Sequence, residues 1–295
     1  MTPDTTRDFL TQCEIICPRN TCLYWTGNDK GYRTYMRFLL LILLVSSSQA
    51  YAQFEVDFGA FKGTIVIYDQ QNDRYTIHNA DRANTRFTPF STFKIPNSAI
   101  ALETDIVADI NATLIWDKES YPEEAWWPRS WIKQHNLKSA IKNSVVPLYR
   151  DIARKIGTER MTAFLTRFDY GNQDISSGID SFWLNGSIKI SATEQVRFLQ
   201  KFYDQTLDLS SRTTALLKDM LIQEKTDLYT LSAKTGGGGI GGEVEKALAW
   251  YVGYVEREGR VFFFAMNIEG KRFQDIQAPR IQITRKLLKD LNILE

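Results

Sequence analysis

Two kinds of apolar pattern divide the chain into strands and helices. β-Branched and aromatic residues are concentrated in residues 61–69 and 74–79, on either side of the polar segment 70–73, which predicts a β-hairpin. Three later segments with a similar composition are predicted strands: residues 229–235, 247–256 and 260–267. The strand-forming sequences therefore lie near the two ends of the region that follows residue 53.

Apolar residues spaced three and four apart predict helices between these strands and at the end of the chain. A helix should begin near Ser91 and pass Leu102, and residues 105–208 have a mostly helical pattern. The clearest repeats cover residues 148–156, 159–168 and 192–203. The chain closes with an amphipathic helix whose apolar face is formed by Ile281, Thr284, Leu287, Leu288, Leu291 and Leu294.

This order of elements predicts an α/β fold of the α+β type. Strands from both ends would form one antiparallel sheet flanked by helices, and the helical middle would form an inserted all-helical lobe. We place the sheet lobe at about residues 53–104 and 225–295, and the helical lobe at about residues 105–224. A cleft between two lobes is the usual place for a binding site.

An export signal is predicted ahead of these elements. The apolar run Phe38–Val45 follows Met36 and Arg37, and it leads through serines to Ala50-Tyr51-Ala52, which has the form of a signal-peptide cleavage site. The run is shorter than the roughly 20 apolar residues needed to span a bilayer. We therefore expect residues 36–52 to be removed and the protein to be secreted across the inner membrane into the periplasm. An uncleaved membrane anchor is the alternative.

Residues 1–35 form a doubtful N-terminal extension, because a signal peptide should begin near the start of the translated chain and Met36 has the position of an initiator. All three cysteines lie in this segment, at positions 13, 17 and 22. The sequence nearby offers no histidine or fourth cysteine that would complete a metal site, so we expect no metal.

The overall charge narrows the class of partner. The formal net charge is +1 over 295 residues. Proteins that bind nucleic acid normally carry a strong basic excess, so we expect no nucleic-acid partner.

The segment 89–99 (PFSTFKIPNSA) places a lysine in an apolar setting. Ser91 and Lys94 lie three residues apart and would share one face of a helix. A buried ammonium is costly unless it is paired or gives up its proton, so Lys94 either has a partner or is neutral. A serine at the start of a helix also has backbone N–H groups close by, which are the donors that an oxyanion needs.

The Ser-x-x-Lys spacing is weak by itself, because the chain has two more copies, Ser130/Lys133 and Ser139/Lys142. We interpret these two as accidental, since Ser91 differs from them in following a turn-like Thr88-Pro89 and in being surrounded by phenylalanines.

Lys234-Thr235-Gly236 is a second candidate motif, because it ends a predicted strand beside glycines that permit close approach of another molecule. A charged strand end before a flexible loop is the alternative interpretation.

The two histidines are His78, in a predicted strand, and His135, in a predicted loop. Neither has an obvious acidic partner, so we expect no Ser-His-Asp triad, and Lys94 is the nearest candidate base for a serine nucleophile.

With these motifs the sequence resembles the class D β-lactamases, the oxacillinase type of the serine penicillin-recognising superfamily. The resemblance covers residues 53–295 and rests on four elements in the family's order: Ser91-Thr92-Phe93-Lys94, Ser144-Val145-Val146, Tyr170-Gly171-Asn172 and Lys234-Thr235-Gly236. Two further segments stand in their expected places: Phe182-Trp183-Leu184 and Trp250-Tyr251-Val252-Gly253. It implies a serine β-lactamase/penicillin-binding transpeptidase-like fold. It also implies hydrolysis of the β-lactam ring of penicillin-type antibiotics through a serine acyl-enzyme, and hence antibiotic resistance.

The resemblance implies catalytic roles as well. Ser91 would be the nucleophile, and Lys94 the general base of acylation and deacylation. Lys94 would carry a carboxyl group derived from carbon dioxide, as an N-carboxylysine, and no other cofactor is implied. Val146 would keep the pocket dry, and Trp183 would donate its indole N–H to the carbamate; a core aromatic is the alternative for Trp183. Ser144 would relay a proton to the departing ring nitrogen.

Substrate binding is implied in the same way. Lys234 would supply positive potential beside Ser144, and Thr235 and Arg280 would hold the substrate carboxylate, which suits the planar fork of arginine. A solvated charge at a helix start is the alternative for Arg280. The backbone N–H groups of Ser91 and Gly237 would form the oxyanion hole. Tyr170 and Asn172 would shape the cleft. The partner would be a small β-lactam, and the protein a monomer or a homodimer without stable membrane insertion.

The sequence departs from the family after Lys234-Thr235-Gly236, where the family often has a bulky residue and this chain continues with Gly237–Gly239. We expect the glycine-rich loop at residues 236–242, which joins two predicted strands, to be mobile. The donor at Gly237 should be less preorganised, because glycine allows more backbone conformations. The substrate range, carbapenems included, stays open. Two other functions also stay open: a penicillin-sensing receptor domain that is acylated without turnover, and a transpeptidase or carboxypeptidase acting on cell-wall peptide.

Overall fold

The computed structural model describes residues 52–53, 55–240 and 246–294. The predicted extension and nearly all of the predicted signal peptide lie outside the described residues. The strands are β1 (Ala52–Gln53), β2 (Lys62–Asp69), β3 (Arg74–His78), β4 (Thr113–Leu114), β5 (His135–Asn136), β6 (Ile222–Lys225), β7 (Tyr229–Gly239), β8 (Ala247–Arg257) and β9 (Arg260–Gly270).

The α-helices within the described residues are α1 (Ala80–Asn84), α2 (Lys94–Glu103), α3 (Leu137–Asn143), α4 (Val146–Ile156), α5 (Thr158–Phe168), α6 (Phe182–Asn185), α7 (Ala192–Tyr203), α8 (Ser211–Leu221), α9 (Phe273–Gln277) and α10 (Pro279–Asp290). A 3-10 helix, Phe90–Phe93, leads directly into α2. Among the described residues, no helix has both the length and the apolar character that crossing a bilayer requires.

The main sheet joins strands from both ends of the chain, as the sequence predicts. Its order is β1-β3-β2-β9-β8-β7-β6. All neighbouring strands pair antiparallel except at one edge. There the two-residue β1 pairs parallel with β3. The predicted hairpin closes with Asp69 opposite Arg74. A sheet of this kind, flanked by helices, confirms the predicted fold class.

The two faces of the sheet pack into separate cores because successive side chains of a strand point to opposite sides. In β2, Ile65 and Ile67 face a smaller core that includes Leu287 and Leu288 of the C-terminal helix α10. The intervening Val66 faces the larger core, which contains the helices between β3 and β6. The predicted amphipathic C-terminal helix is thus confirmed, although it ends at Asp290 and Leu294 packs from the segment after it.

The helical prediction for residues 105–208 is wrong in its first part. Residues 104–134 consist of turns and irregular segments around the short strand β4. Pro122 and Pro128 lie in this stretch and remove backbone donors that a helix would need. From Leu137 onward the prediction is confirmed, because α4, α5 and α7 cover the three predicted repeats.

The glycine run after Thr235 belongs to a strand and not to a loop. Strand β7 continues through Gly239, with Gly236 opposite Trp250 and Gly239 opposite Ala247 of β8. The expectation of a loop beginning at Gly236 is therefore wrong, since backbone pairing with β8 holds these residues extended. The β7–β8 connection begins at Ile240.

Candidate active site

Ser91 lies in the 3-10 helix Phe90–Phe93. The sequence had suggested the first turn of an α-helix instead. The backbone N–H of Lys94 donates to the carbonyls of Ser91 and Thr92, which links the 3-10 turn to α2 without a break. The segment is held from outside by the indole of Trp250 on β8, which donates to the carbonyl of Thr88 at 2.9 Å. These contacts fix the backbone that presents the Ser91 hydroxyl.

Lys94 is fully buried directly beside Ser91, which confirms its predicted burial. Its Nζ lies 3.0 Å from Ser91 Oγ and 5.1 Å from the centre of the Tyr149 ring. Among the residues that the structure describes, no carboxylate forms an ion pair with Lys94. Burial lowers the pKa of Lys94 well below its ordinary value, and the charge of Lys234 lowers it further. The lysine is therefore poised to be neutral.

Aromatic rings fill the space next to Ser91 and Lys94. Phe93 stacks on Trp183 with ring centres 5.3 Å apart and meets Phe182 edge to face. The indole Nε1 of Trp183 is buried without a hydrogen-bond partner among the described residues. An unmade bond of this kind is costly, so the indole is suited to an acceptor that is added to the site. Val146 is the half-buried first residue of α4, and the preceding Val145 is fully buried.

Ser144 and Lys234 meet although 90 residues separate them in the sequence. Ser144 is the C-cap of α3 in a left-handed conformation, φ 55°, between two consecutive helices. Such a backbone is uncommon for a residue with a side chain, and it aims Ser144 Oγ at β7. Lys234 Nζ donates to Ser144 Oγ at 2.6 Å and to the Thr235 carbonyl at 2.8 Å. Burial, reinforced by the Arg280 charge, lowers the pKa of Lys234 to about 7.

Arg280 is buried against β7, which excludes the alternative of a solvated charge. Its guanidinium Nη1 donates to the Gly236 carbonyl at 3.1 Å, and its side chain packs on the Phe273 ring. Burial lowers the pKa of Arg280 to about 10, which leaves the group charged at neutral pH. Its Nε has no partner among the described residues. Thr235, half-buried in β7, immediately precedes the Gly236 that accepts this bond.

The remaining candidate residues have structural contacts. Tyr170 is buried edge to face against Phe93, and burial raises the pKa of its phenol. The Asn172 side chain donates to the Ser187 carbonyl and accepts from the Lys189 backbone N–H, both at 2.8 Å. Asn172 thus ties the loop after α5 to the segment before α7, whereas Tyr170 packs beside the 3-10 helix.

The two other Ser-x-x-Lys copies are occupied elsewhere. Ser139 forms a capping box with Asn136 at the start of α3, and Lys133 and Lys142 are exposed. His135, expected in a polar loop, is buried in β5. Its ring nitrogens lie 3.0 Å from Ser139 Oγ and 2.7 Å from the Ser130 carbonyl. None of these residues contributes to the site around Ser91.

Two aromatic residues of the site were missed by reasoning from the sequence. Tyr149 on α4 covers the Lys94 amine, and Phe273 on α9 covers the Arg280 guanidinium. Tyr149 was visible only as an apolar position of a helical repeat. Phe273 carries no signal in the sequence, because its place beside Arg280 arises when α9 folds back over the sheet.

Comparisons with known proteins agree on one family. Residues 63–289 match the family described as penicillin binding protein transpeptidase domain. Beta-lactamase OXA-48 of Klebsiella pneumoniae is 41% identical over 79% of this chain and 84% of that protein. The crystal structure of FUS-1 (OXA-85), a class D beta-lactamase from Fusobacterium nucleatum subsp. polymorphum, superimposes with a TM-score of 0.74 at 37% identity, over 80% of this chain and 94% of that one.

A regulatory protein is a more distant relative. Regulatory protein BlaR1 of Bacillus licheniformis is 33% identical over 78% of this chain, but the match covers 37% of the regulatory protein. The enzymes match over most of their own length and at higher identity. With its transpeptidase-type fold and its Ser91 hydroxyl beside the buried Lys94 amine, this chain belongs to the class D β-lactamases, the serine enzymes that hydrolyse β-lactams.

Proposed function

We propose that the protein hydrolyses penicillin-type β-lactams, with Ser91 as nucleophile and Lys94 as general base. The observation that carries this assignment is the 3.0 Å separation between Ser91 Oγ and the Nζ of the fully buried Lys94. That separation is within the reach required of a base, and burial supplies the neutral amine. The Ser91 hydroxyl can donate its proton to Lys94 Nζ while its oxygen attacks the ring carbonyl.

Opening of the ring breaks the C–N bond and leaves a nitrogen that needs a proton. Ser144 is the donor that supports this step, because its hydroxyl is held by Lys234 at 2.6 Å. Lys234 in turn can return a proton to Ser144. This pair separates the acid of the reaction from its base, Lys94.

Binding and charge stabilisation are assigned to the end of β7. The backbone N–H groups of Ser91 and Gly237 would receive the oxyanion that develops on the ring carbonyl. Thr235 and the charged Arg280 would hold the carboxylate of the substrate, for which the guanidinium offers a planar fork. The buried, unpartnered Arg280 Nε leaves a donor available on this group.

Hydrolysis of the acyl-enzyme requires a base a second time. The acyl group would be attached to Ser91 Oγ, beside the Lys94 amine. Once the proton taken from Ser91 has left Lys94 through solvent, and Lys234 has regained the one it gave to Ser144, the neutral amine can receive the proton of the attacking water. It then gives this proton to Ser91 Oγ as the acyl bond breaks. Val146 and the aromatic rings around Phe93 would limit the number of other waters that reach it.

The surroundings of Lys94 also fit an N-carboxyl group on its amine. A neutral amine is the form that combines with carbon dioxide, and the Trp183 indole N–H lacks an acceptor. Trp183 would hold the added carboxylate, and Val146 would shield it from water. The group would supply a carboxylate-like base in place of the amine.

Export of the protein across the inner membrane is part of the proposal. We place the signal at residues 36–52, with the mature protein beginning at Gln53 in the periplasm. The apolar run Phe38–Val45 and the small residues Ala50 and Ala52 support this position. N-terminal sequencing of the exported protein tests the position of the cut.

Turnover distinguishes the enzyme from a penicillin sensor. The protein from Gln53 onward should hydrolyse many equivalents of benzylpenicillin per molecule, because Lys94 would serve as the base in both half-reactions. The measurement is ring opening followed by absorbance, with mass spectrometry of the protein during the reaction. A single equivalent consumed, with an adduct that persists, would instead establish a sensor or a transpeptidase.

The loss of activity at alkaline pH should follow the deprotonation of Lys234. Its pKa of about 7 in the folded protein means that the charge is present below this pH and is lost as the pH rises through it. We therefore expect kcat/KM to fall above about pH 7, and Lys234→Arg to move this limb to higher pH because arginine stays charged. Lys225→Arg, on the exposed edge strand β6, is the matched control. An unshifted limb in Lys234→Arg would assign the titration to another group.

A further inference from the structure

Phe90 has a backbone conformation that is rare for a bulky residue. Its φ is +48°, in the left-handed region, and it immediately precedes the nucleophile Ser91. Its side chain is 5% exposed and belongs to the larger core. A conformation of this kind persists only where surrounding contacts hold it, and it is found preferentially at functional sites.

The Phe90 ring packs against the glycine run of β7, residues 236–239, at Gly238. A Cβ atom on Gly238 would lie 2.8 Å from Phe90 Cε1, which is closer than carbon atoms of two different side chains normally approach. On the same face of the strand, a Cβ atom on Gly236 would lie 2.7 Å from the Pro89 carbonyl. At Gly236 and Gly238 this face of β7 leaves no room for a side chain, because the segment Pro89–Phe93 lies directly on it.

The opposite face of the run is covered by a second ring. A Cβ atom on Gly237 would overlap Phe273, whereas one on Gly239 would meet nothing within 4 Å. The strand segment Gly236–Gly238 is thus enclosed between two aromatic rings, one from each side. Glycines that have no side chains of their own are fixed here by the side chains of their neighbours.

We propose that Phe90 is a positioning residue that sets the geometry of the oxyanion hole by packing on Gly238. The inference rests on the proposed function, in which the backbone N–H groups of Ser91 and Gly237 receive the oxyanion. Phe90 is bonded to one donor residue and Gly238 to the other, so their contact joins the two donors across the site. Pairing with β8 holds the glycines extended, and the ring adds a contact that fixes their distance from the 3-10 helix, which glycines without side chains cannot set themselves.

A double-mutant cycle tests this contact. Phe90→Ala removes the ring, and Gly238→Ala forces the ring and the strand apart. Each should lower the rate constant for acylation by benzylpenicillin about 10- to 100-fold, as expected when a catalytic group is misplaced. In the double variant the new methyl group has room, so its rate constant should lie within about twofold of that of Phe90→Ala alone. Gly239→Ala is the matched control and should acylate at the normal rate.

Two readouts separate positioning from a general structural role. Affinity for a boronic acid, which forms a tetrahedral adduct on the serine oxygen, should fall in parallel with the acylation rate constant. Binding of intact penicillin should be unchanged when Phe90→Ala is introduced into the Ser91→Ala background, since the oxyanion is absent from that complex. If Phe90→Ala does not fold, Phe90→Leu replaces it, because leucine fills the core but lacks the Cε1 and Cζ atoms that meet Gly238.

The proposal is overturned if the two substitutions act additively, if Gly238→Ala behaves like Gly239→Ala, or if ground-state binding falls as much as acylation does. A failure of the proposed function has a different signature. In that case Ser91→Ala would retain turnover, whatever the outcome of the Phe90–Gly238 cycle.

Discussion

Ser91→Ala should lower kcat/KM for benzylpenicillin by about 10⁶-fold, the scale at which loss of the nucleophile acts in serine hydrolases. The hydroxyl is the one that lies 3.0 Å from the buried Lys94 amine, and alanine leaves the carbonyl of the substrate without an attacking atom. Steady-state hydrolysis and mass spectrometry of the protein after incubation with benzylpenicillin measure the effect. The variant should show no covalent adduct.

The matched control for this substitution is Ser130→Ala, which removes the serine of a second Ser-x-x-Lys sequence. In the part of the chain that the structure describes, Ser130 uses only its backbone carbonyl, as an acceptor beside His135, so the substitution should leave turnover unchanged. An adduct in Ser91→Ala, or a large loss of turnover in Ser130→Ala, would mean that the wrong serine has been assigned.

Local geometry is the part of the site that the sequence predicted best. Ser91 and Lys94 are one turn apart, so their proximity follows from backbone geometry once a helical segment is assumed. The burial of Lys94 follows from the phenylalanines around it. The exact kind of helix was not predictable, because a 3-10 turn and an α-helix place residues three apart on nearly the same face.

Long-range contacts of the site could be expected only from the family resemblance. Nothing in the local sequence of Ser144 indicates that it meets Lys234, and a short motif around Arg280 cannot show that it donates to the Gly236 carbonyl. These contacts depend on how β7, α3 and α10 pack. Their arrangement comes from the tertiary fold and has no periodic signature.

The strands were predicted well and the glycine segment poorly, for a common reason. β-Branched and aromatic residues mark β2, β8 and β9 because such side chains fit a pleated, half-buried surface. Gly236–Gly239 have no side chains that could give this signal, yet pairing with β8 keeps them in the sheet. The prediction for residues 104–134 was wrong in the opposite sense, because it assigned helix where the structure has turns and irregular segments. The apolar residues of this stretch suggested helices, but its prolines and turns interrupt them.

Lys94→Met should lower turnover by about 10²- to 10⁴-fold, the range expected for loss of a general base. Methionine has a similar length and no proton-accepting nitrogen, and it suits the fully buried position better than an amine does. The variant should therefore fold, with a melting temperature at least equal to that of the unmodified protein. Any acyl-enzyme that forms should persist, because the base needed for its hydrolysis is missing, and mass spectrometry should detect it.

Added bicarbonate distinguishes the two forms in which Lys94 could act as base, the neutral amine and the N-carboxylated amine. If its amine carries a carboxyl group, added bicarbonate should raise the activity of the unmodified protein and have no effect on Lys94→Met. Lys142→Met, an exposed lysine in another Ser-x-x-Lys sequence, should respond like the unmodified protein. Indifference of the unmodified protein to bicarbonate would leave the neutral amine as the base, because burial alone already lowers the pKa of Lys94. Normal turnover in Lys94→Met would show that another group accepts the proton from Ser91, and the assignment of Lys94 as the base would then be wrong.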